Sequence, residues 1–257
     1  MTIDIAPNEL KRALAGGRTQ PGFWLTLGNP SIAEIASEAG FAWLLIDMEH
    51  GDNTVETVTH QLRAVMRGGA EPMVRVPSID AAIVKRLMDC GVRSFMFPNV
   101  KTAAEAMAAV AATRYPPRGV RGVAGTARGP GYGRIKDYWT RSEAEILVTV
   151  QVETLAALEV LEDIASIDGV DCIFVGPSDL SADMGFLGRP GAPEVVAKVS
   201  HTLERIKATG RSSGILEFGA ERAQDLIRDG YQLIAVAGDA NVLARRTSEI
   251  AAAFPAS

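Results

Sequence analysis

The chain has 257 residues, 47% of them apolar, which is enough for a sizeable core in one large folding unit or two small ones. Its formal charge is −5 with acids and bases interspersed, which argues against a nucleic-acid face, and runs such as FAWLLI fall far short of a roughly 20-residue membrane span. The two cysteines, Cys90 and Cys172, allow no disulfide framework and no CxxC site, so the expected compartment is the reducing cytoplasm.

The N-terminal MTIDIAPNELKRALAGG lacks a secretory core and reads as an amphipathic helix. Strand-like and helix-like stretches then alternate. The strands are GFWLTL, FAWLLID, PMVRV, RSFMFP, ILVTVQVE, CIFVGP, SGILE and LIAVAG. Most are continuous apolar runs, as expected of strands covered on both faces. Helical spacing predicts helices over 31–39, with Ser31 as cap, and then over 54–67, 80–90 and 102–112. Further helices are predicted over 154–164, 193–209, 220–229 and 241–254. Eight strand–helix units in series point to a single (β/α)8 TIM barrel over 1–257, preceded by the N-terminal helix. A doubly wound sheet is the alternative, but LTLGNPS is a poor phosphate-binding turn after the first strand. One connection breaks the rhythm, RYPPRGVRGVAGTARGPGYGRIKDYW. It is long, rich in Gly and Arg, and placed by chain order at the bottom of the barrel. It reads either as a plain insertion or as an oligomer contact or lid that reaches a neighbouring subunit.

In such a barrel the C-terminal strand ends share one mouth. The second strand brings Asp47, Glu49 and His50 there, and the third brings Arg75. The fifth brings Gln151 and Glu153, the sixth Gly176, Pro177, Ser178 and Asp179, and the eighth Gly238 and Asp239. Trp24 lies on the first strand and Leu216 on the seventh, and both complete the expected substrate-binding set. Glu153 and Asp179 follow neighbouring strands, and two adjacent carboxylates repel unless a cation joins them. Two oxygen ligands without clustered His or Cys favour a hard divalent ion. Taken singly, each acid also reads as a helix cap. His50 suits acid–base work near neutral pH, or is a loop residue satisfied by a neighbouring carboxylate. Arg75 faces either a developing oxyanion or an ion pair with Asp47 or Glu49.

LLIDMEHG, VRVP, VTVQVET, RYPPRGVRG and FVGPSDLSADMG, in that order, resemble the HpcH/HpaI aldolases. These are metal-dependent class II pyruvate aldolases of the 4-hydroxy-2-oxoheptanedioate aldolase type. The resemblance runs from about Gly22 to Phe254 and implies a (β/α)8 barrel. It also implies that Glu153 and Asp179 ligate Mg2+, Mn2+ or Co2+, with His50 as base and Arg75 holding the keto and enolate oxygen. Gln151 then lines the site, and amides from Gly176 to Asp179 hold the substrate carboxylate. It further implies that Asp89, at the bottom end of its helix, partners the base histidine of an adjacent subunit in a homo-hexamer built as a trimer of dimers. Read on its own, Asp89 is an exposed acid tolerated at slight cost. Met48, GTARGPGYG and Phe218 depart from the family's motifs and bear on substrate preference.

The implied reaction is reversible cleavage of a 4-hydroxy-2-oxo acid to pyruvate, or an analogue such as hydroxypyruvate, plus an aldehyde. Three rivals stand beside it. A Schiff-base aldolase would need an inward lysine, and of the six lysines only Lys101 lies near a strand end. A lyase acting on acyl-CoA esters would need a basic patch for the nucleotide. A non-catalytic barrel would only bind the 2-oxo acid.

Overall fold

The computed structural model describes residues 3–254. Eight parallel strands close into a barrel in the order β1 to β8, each hydrogen-bonded to its neighbours in sequence. They are β1 (Gln20–Leu25), β2 (Trp43–Asp47), β3 (Glu71–Arg75), β4 (Ser94–Phe97), β5 (Leu147–Val152), β6 (Cys172–Val175), β7 (Ser212–Leu216) and β8 (Leu233–Gly238). This is the predicted (β/α)8 architecture.

The alternation of each strand sorts its side chains into two layers. Leu44, Ile46, Val74, Phe95, Val150, Ile173 and Ile234 point outward into the core shared with the helices. Trp43, Leu45, Met73, Met96, Cys172, Phe174 and Leu233 fill the barrel interior. Trp43 fits there because its neighbour across the ladder is Gly22, where a Cβ would lie 2.1 Å from the indole ring. Leu10 and Leu14 of α1 (Glu9–Ala15) join the inner cluster and close the bottom of the barrel.

The helices depart from expectation at several points. The N-terminal helix is shorter than its apolar pattern, because Asn8 caps it by accepting from the Lys11 amide. The next helix, α2 (Pro30–Glu38), is capped by Asn29 and not by Ser31, whose own amide is the donor. The stretch predicted as one helix over 154–164 breaks at Val160 into α7 (Leu155–Glu159) and α8 (Leu161–Ser166). The others follow the prediction closely: α3 (Val55–Gly68), α4 (Ala81–Asp89), α5 (Ala103–Thr113), α10 (Pro193–Thr209) and α11 (Ala220–Asp229). Between α5 and β5 the long connection holds a 3-10 turn, Gly131–Gly133, and the short α6 (Tyr138–Arg141). It lies at the bottom of the barrel, where the Gly129 amide donates to the Asp89 carbonyl and Arg128 donates to the Cys90 carbonyl.

Two further helices start directly at the mouth. One of them, α9 (Pro177–Asp183), is not among the predicted helices and begins where β6 ends. The last helix, α12 (Asp239–Ala252), begins where β8 ends, two residues earlier than predicted. Its residues 241–250 are all exposed, Val242, Leu243 and Ile250 among them. No helix among the described residues is long and apolar enough to cross a membrane.

Candidate active site

The strand ends build a cavity of about 330 Å³ at the barrel mouth, lined by Trp24, His50, Arg75, Gln151, Gly176, Pro177, Ser178, Asp179, Leu216 and Phe218 among others. Of the catalytic, substrate-binding and metal-ligating residues expected from the sequence, all but Glu153 and Asp89 line this cavity, and Glu153 is buried beside it behind Gln151 and Gly176. A larger cavity, about 640 Å³, lies at the opposite end between the N-terminal segment and the long connection, away from these groups.

Asp47 organises one wall. Its side chain is almost wholly buried and its two oxygens accept from Arg75 Nε (2.9 Å), Arg75 Nη2 (2.5 Å), Trp24 Nε1 (3.0 Å) and the amides of Glu49 (2.9 Å) and His50 (3.3 Å). Burial is the largest influence and opposes its charge, but the bonds and charge of Arg75, with the Trp24 and Glu49 donors, together hold the carboxyl below its ordinary range. The ion pair weighed for Arg75 thus exists, and it leaves the guanidinium at the cavity, stacked 4.9 Å from the Trp24 ring. The third guanidinium nitrogen, Nη1, lies 2.9 Å from Glu49 Oε2. That oxygen is buried and lacks an aligned hydrogen bond. Burial raises the Glu49 carboxyl above its ordinary range despite Arg75. His50 stands on the rim with its side chain 67% exposed, Nε2 lying 3.9 Å from Glu49 Oε2.

The opposite wall is acidic. Glu153 is buried; Oε1 accepts from the Asn99 amide (2.8 Å) and Oε2 from Gln151 Nε2 (2.5 Å). Asn99 can aim that amide because its backbone is left-handed (φ 52°), a conformation asparagine tolerates. Capping does not explain Glu153, since Thr154 caps α7, and α9 has no side-chain cap for Asp179 to supply. Burial, and then the negative charge of Asp179, push the Glu153 carboxyl up to about 7. Gly176 separates the two acids' segments, and a Cβ there would sit 2.3 Å from Glu153 Oε2.

This wall fits a hard divalent cation. The charge of Asp179 keeps the Glu153 carboxyl raised, and the Gln151 Oε1 atom is buried without a partner. Among the described residues no three His, Cys, Asp or Glu side chains converge to hold a cation. An ion there would have Glu153 and Asp179 as its carboxylates and would need oxygens from solvent or substrate besides.

Asp89 does not reach this cavity. It ends α4 at the bottom of the barrel, with Oδ1 buried, unpaired and 3.8 Å from Arg121 Nη2. Lys101 is exposed, and among the described residues no lysine lines the cavity, so the Schiff-base alternative lacks its nucleophile there. The sequence places Asp47 at the mouth as a candidate partner of Arg75, but reveals neither its role as hub nor Asn99 as a donor to Glu153. Asp47 ends β2 directly after the apolar run, and its alternation with Leu45 points it inward.

Comparison with known proteins gives a consistent result. A family model described as HpcH/HpaI aldolase/citrate lyase matches residues 20–245. The chain is 44% identical to a 4-hydroxy-2-oxovalerate aldolase of Rhodococcus jostii, covering 96% of each chain. It is 42% identical to a 5-keto-4-deoxy-D-glucarate aldolase of Citrobacter koseri, covering 99% of each. Among solved structures, an HpcH/HpaI aldolase/citrate lyase family protein from Burkholderia cenocepacia aligns with a TM-score of 0.91 at 40% identity. That alignment covers 95% of this chain and 97% of the other.

Proposed function

The chain belongs to the HpcH/HpaI aldolase/citrate lyase family, and on that premise we propose that it is an aldolase acting at the mouth described above. It cleaves 4-hydroxy-2-oxo acids reversibly to pyruvate, or a pyruvate analogue such as hydroxypyruvate, and an aldehyde. The observation that carries the reading is a buried acid just past β5, Glu153, close enough to Asp179 of α9 to feel its charge, with Asp179, a buried arginine and an exposed histidine lining one cavity.

Glu153 and Asp179 would hold a divalent ion such as Mg2+, Mn2+ or Co2+, which as a Lewis acid lowers the energy of negative charge on the 2-oxo group. The chain's own groups supply the rest. Amides of Gly176 to Asp179 and the Gln151 side chain orient the substrate carboxylate. His50 takes the proton from the C4 hydroxyl. The C4 oxygen then forms the aldehyde carbonyl, the C3–C4 bonding pair becomes the C2=C3 bond and the carbonyl pair moves onto the C2 oxygen; protonation of C3 releases pyruvate. Arg75, held rigid by Asp47, faces the oxygen that gains charge. Trp24 and Leu216 bound the space beside C3. In the synthetic direction the same base removes a proton from the pyruvate methyl group.

We also propose a homo-oligomer, a hexamer assembled as a trimer of dimers, in the cytoplasm, with the barrel acting as one domain. The exposed apolar residues of α12 and Val120 and Val123 in the long connection support self-association. Asp89, too far along its helix for His50 of its own chain, would face His50 of a neighbour. The test of the activity is a product assay with pyruvate or hydroxypyruvate and a panel of aldehydes, with and without EDTA. Activity that survives both EDTA and His50→Ala refutes the scheme, and borohydride trapping of pyruvate would replace it with a lysine mechanism.

A further inference from the structure

Asp239 is a buried carboxylate at the mouth that the scheme above does not use. It opens α12 directly after β8, and both of its oxygens are occupied. Oδ1 accepts from the Thr26 hydroxyl (2.8 Å), the Thr26 amide (3.0 Å) and the Ala240 amide (2.7 Å). Oδ2 accepts from the amides of Leu27 (3.0 Å) and Thr26 (3.1 Å). A carboxylate surrounded by so many donors on its own chain has little lone-pair capacity left for a proton, a metal or a substrate. Its place in the site is therefore indirect.

The bonds lead to His50. Asp239 fixes the turn after β1, and the Thr26 carbonyl of that turn accepts from the Asp52 amide at 2.8 Å. Asp52 is two residues beyond His50, and Gly51 lies between them, pressed against both turns. A Cβ on Gly51 would lie 2.9 Å from the Thr26 carbonyl and 2.4 Å from that of Asp47. Asn53 ties the same two turns, its Nδ2 donating to the carbonyls of Asp47 (2.8 Å) and Leu25 (3.4 Å). The exposed His50 side chain has few contacts of its own, so its position follows from its backbone.

We propose that Asp239 is a positioning residue for His50, acting through Thr26 and Asp52, and that it governs proton transfer without taking part in holding the 2-oxo acid. Glu153 follows β5 and Asp179 lies in α9 after β6, and none of the Asp239 bonds reaches either acid. This inference rests on the aldolase reading, in which His50 moves the proton.

The test is a double-mutant cycle on exchange of the pyruvate methyl protons with solvent deuterium, using His50→Ala, Asp239→Asn and the double variant with Mn2+ present. Asp239→Asn turns one acceptor into a donor facing amides, and should slow exchange by roughly tenfold to a hundredfold, the cost of a small misplacement of a reacting group. In the double variant it should add nothing to His50→Ala. Oxalate, an analogue of the pyruvate enolate, should inhibit Asp239→Asn as tightly as the parent. Should Asp239→Asn fail to fold, Thr26→Val removes only the hydroxyl bond and should show the same dependence on His50. Additive losses in the cycle, or weakened oxalate inhibition, overturn the proposal. A parent enzyme that exchanges no protons, or a His50→Ala variant that exchanges them normally, would instead remove the aldolase reading beneath it.

Discussion

The most telling perturbation is Glu153→Gln in protein stripped of metal. Burial and Asp179 together move the Glu153 carboxyl from 4.5 to about 7. Between those values the folded chain keeps a proton that the unfolded chain has released. Raising the pH through that window therefore destabilises the fold, and above about pH 7 the loss is complete. At about 1.4 kcal/mol per unit this single group weakens the folded state by about 3 kcal/mol between pH 5 and 8. Glutamine mimics the neutral acid. Its oxygen can keep the Asn99 amide bond, and the unpaired Gln151 Oε1 can turn to accept from its new amide. The difference in Tm between variant and parent cancels every other titration. In EDTA it should grow by about 6–12 °C in favour of Glu153→Gln from pH 5 to pH 8, at about 2–4 °C per kcal/mol for a chain of this size. Thermal unfolding followed by circular dichroism reads this directly. Saturating Mn2+ should reverse the order, since only the parent gains. A flat difference across pH 5 to 8 would show that this carboxylate is not confronted by Asp179 in a dry pocket.

Other perturbations probe the remaining parts. Asp47→Asn should destabilise the protein by about 3 kcal/mol in urea unfolding, at the low end for breaking a buried pair because Glu49 stays beside Arg75. The same variant should lose most cleavage activity. Gly176→Ala drives a methyl against the Glu153 carboxylate, so it should fold yet bind Mn2+ at least tenfold more weakly by titration calorimetry. If neighbouring subunits share sites, His50→Ala and Asp89→Ala chains, each inactive alone, should regain part of their activity when refolded together. No recovery in hybrids proven by mass spectrometry would return Asp89 to its plainer reading.

Much of the fold was legible because it rests on local rules. A strand covered on both faces cannot alternate with polar residues, so eight apolar runs mark eight strands. Boundaries were less legible where two signals compete. Asn29 and Ser31 both suit a cap, and only the backbone geometry shows that Asn29 accepts while Ser31 donates. The break at Val160 has no glycine or proline to announce it. In the site, residue types at strand ends identified most of the set, since alternation dictates which ones face inward. Their pairings were less legible. The ion pair of Arg75 with Asp47 was only one of two readings, because Asp47 lies 28 residues earlier, on the neighbouring strand, and the link between Asp239 and Thr26 spans 213 residues. Such bonds depend on barrel closure, which no local pattern encodes.

Charge decides what the mouth can hold. Asp47 and Arg75 neutralise each other at contact, and Asp47 consumes two of the three guanidinium nitrogens in doing so. Glu49 takes the third at ion-pair distance, yet burial still raises its carboxyl, so one guanidinium does not satisfy both acids. Glu153 and Asp179 then remain with no cation among their hydrogen-bond partners, and Glu153 responds by holding its proton. A pocket with more buried acid than base disfavours an anionic 2-oxo acid unless positive charge arrives with it or before it. Binding order follows: metal should precede the 2-oxo acid. Oxalate inhibition measured over a Mn2+ series should weaken steadily as the metal is lowered, and oxalate binding of undiminished strength in EDTA would overturn this account of the site.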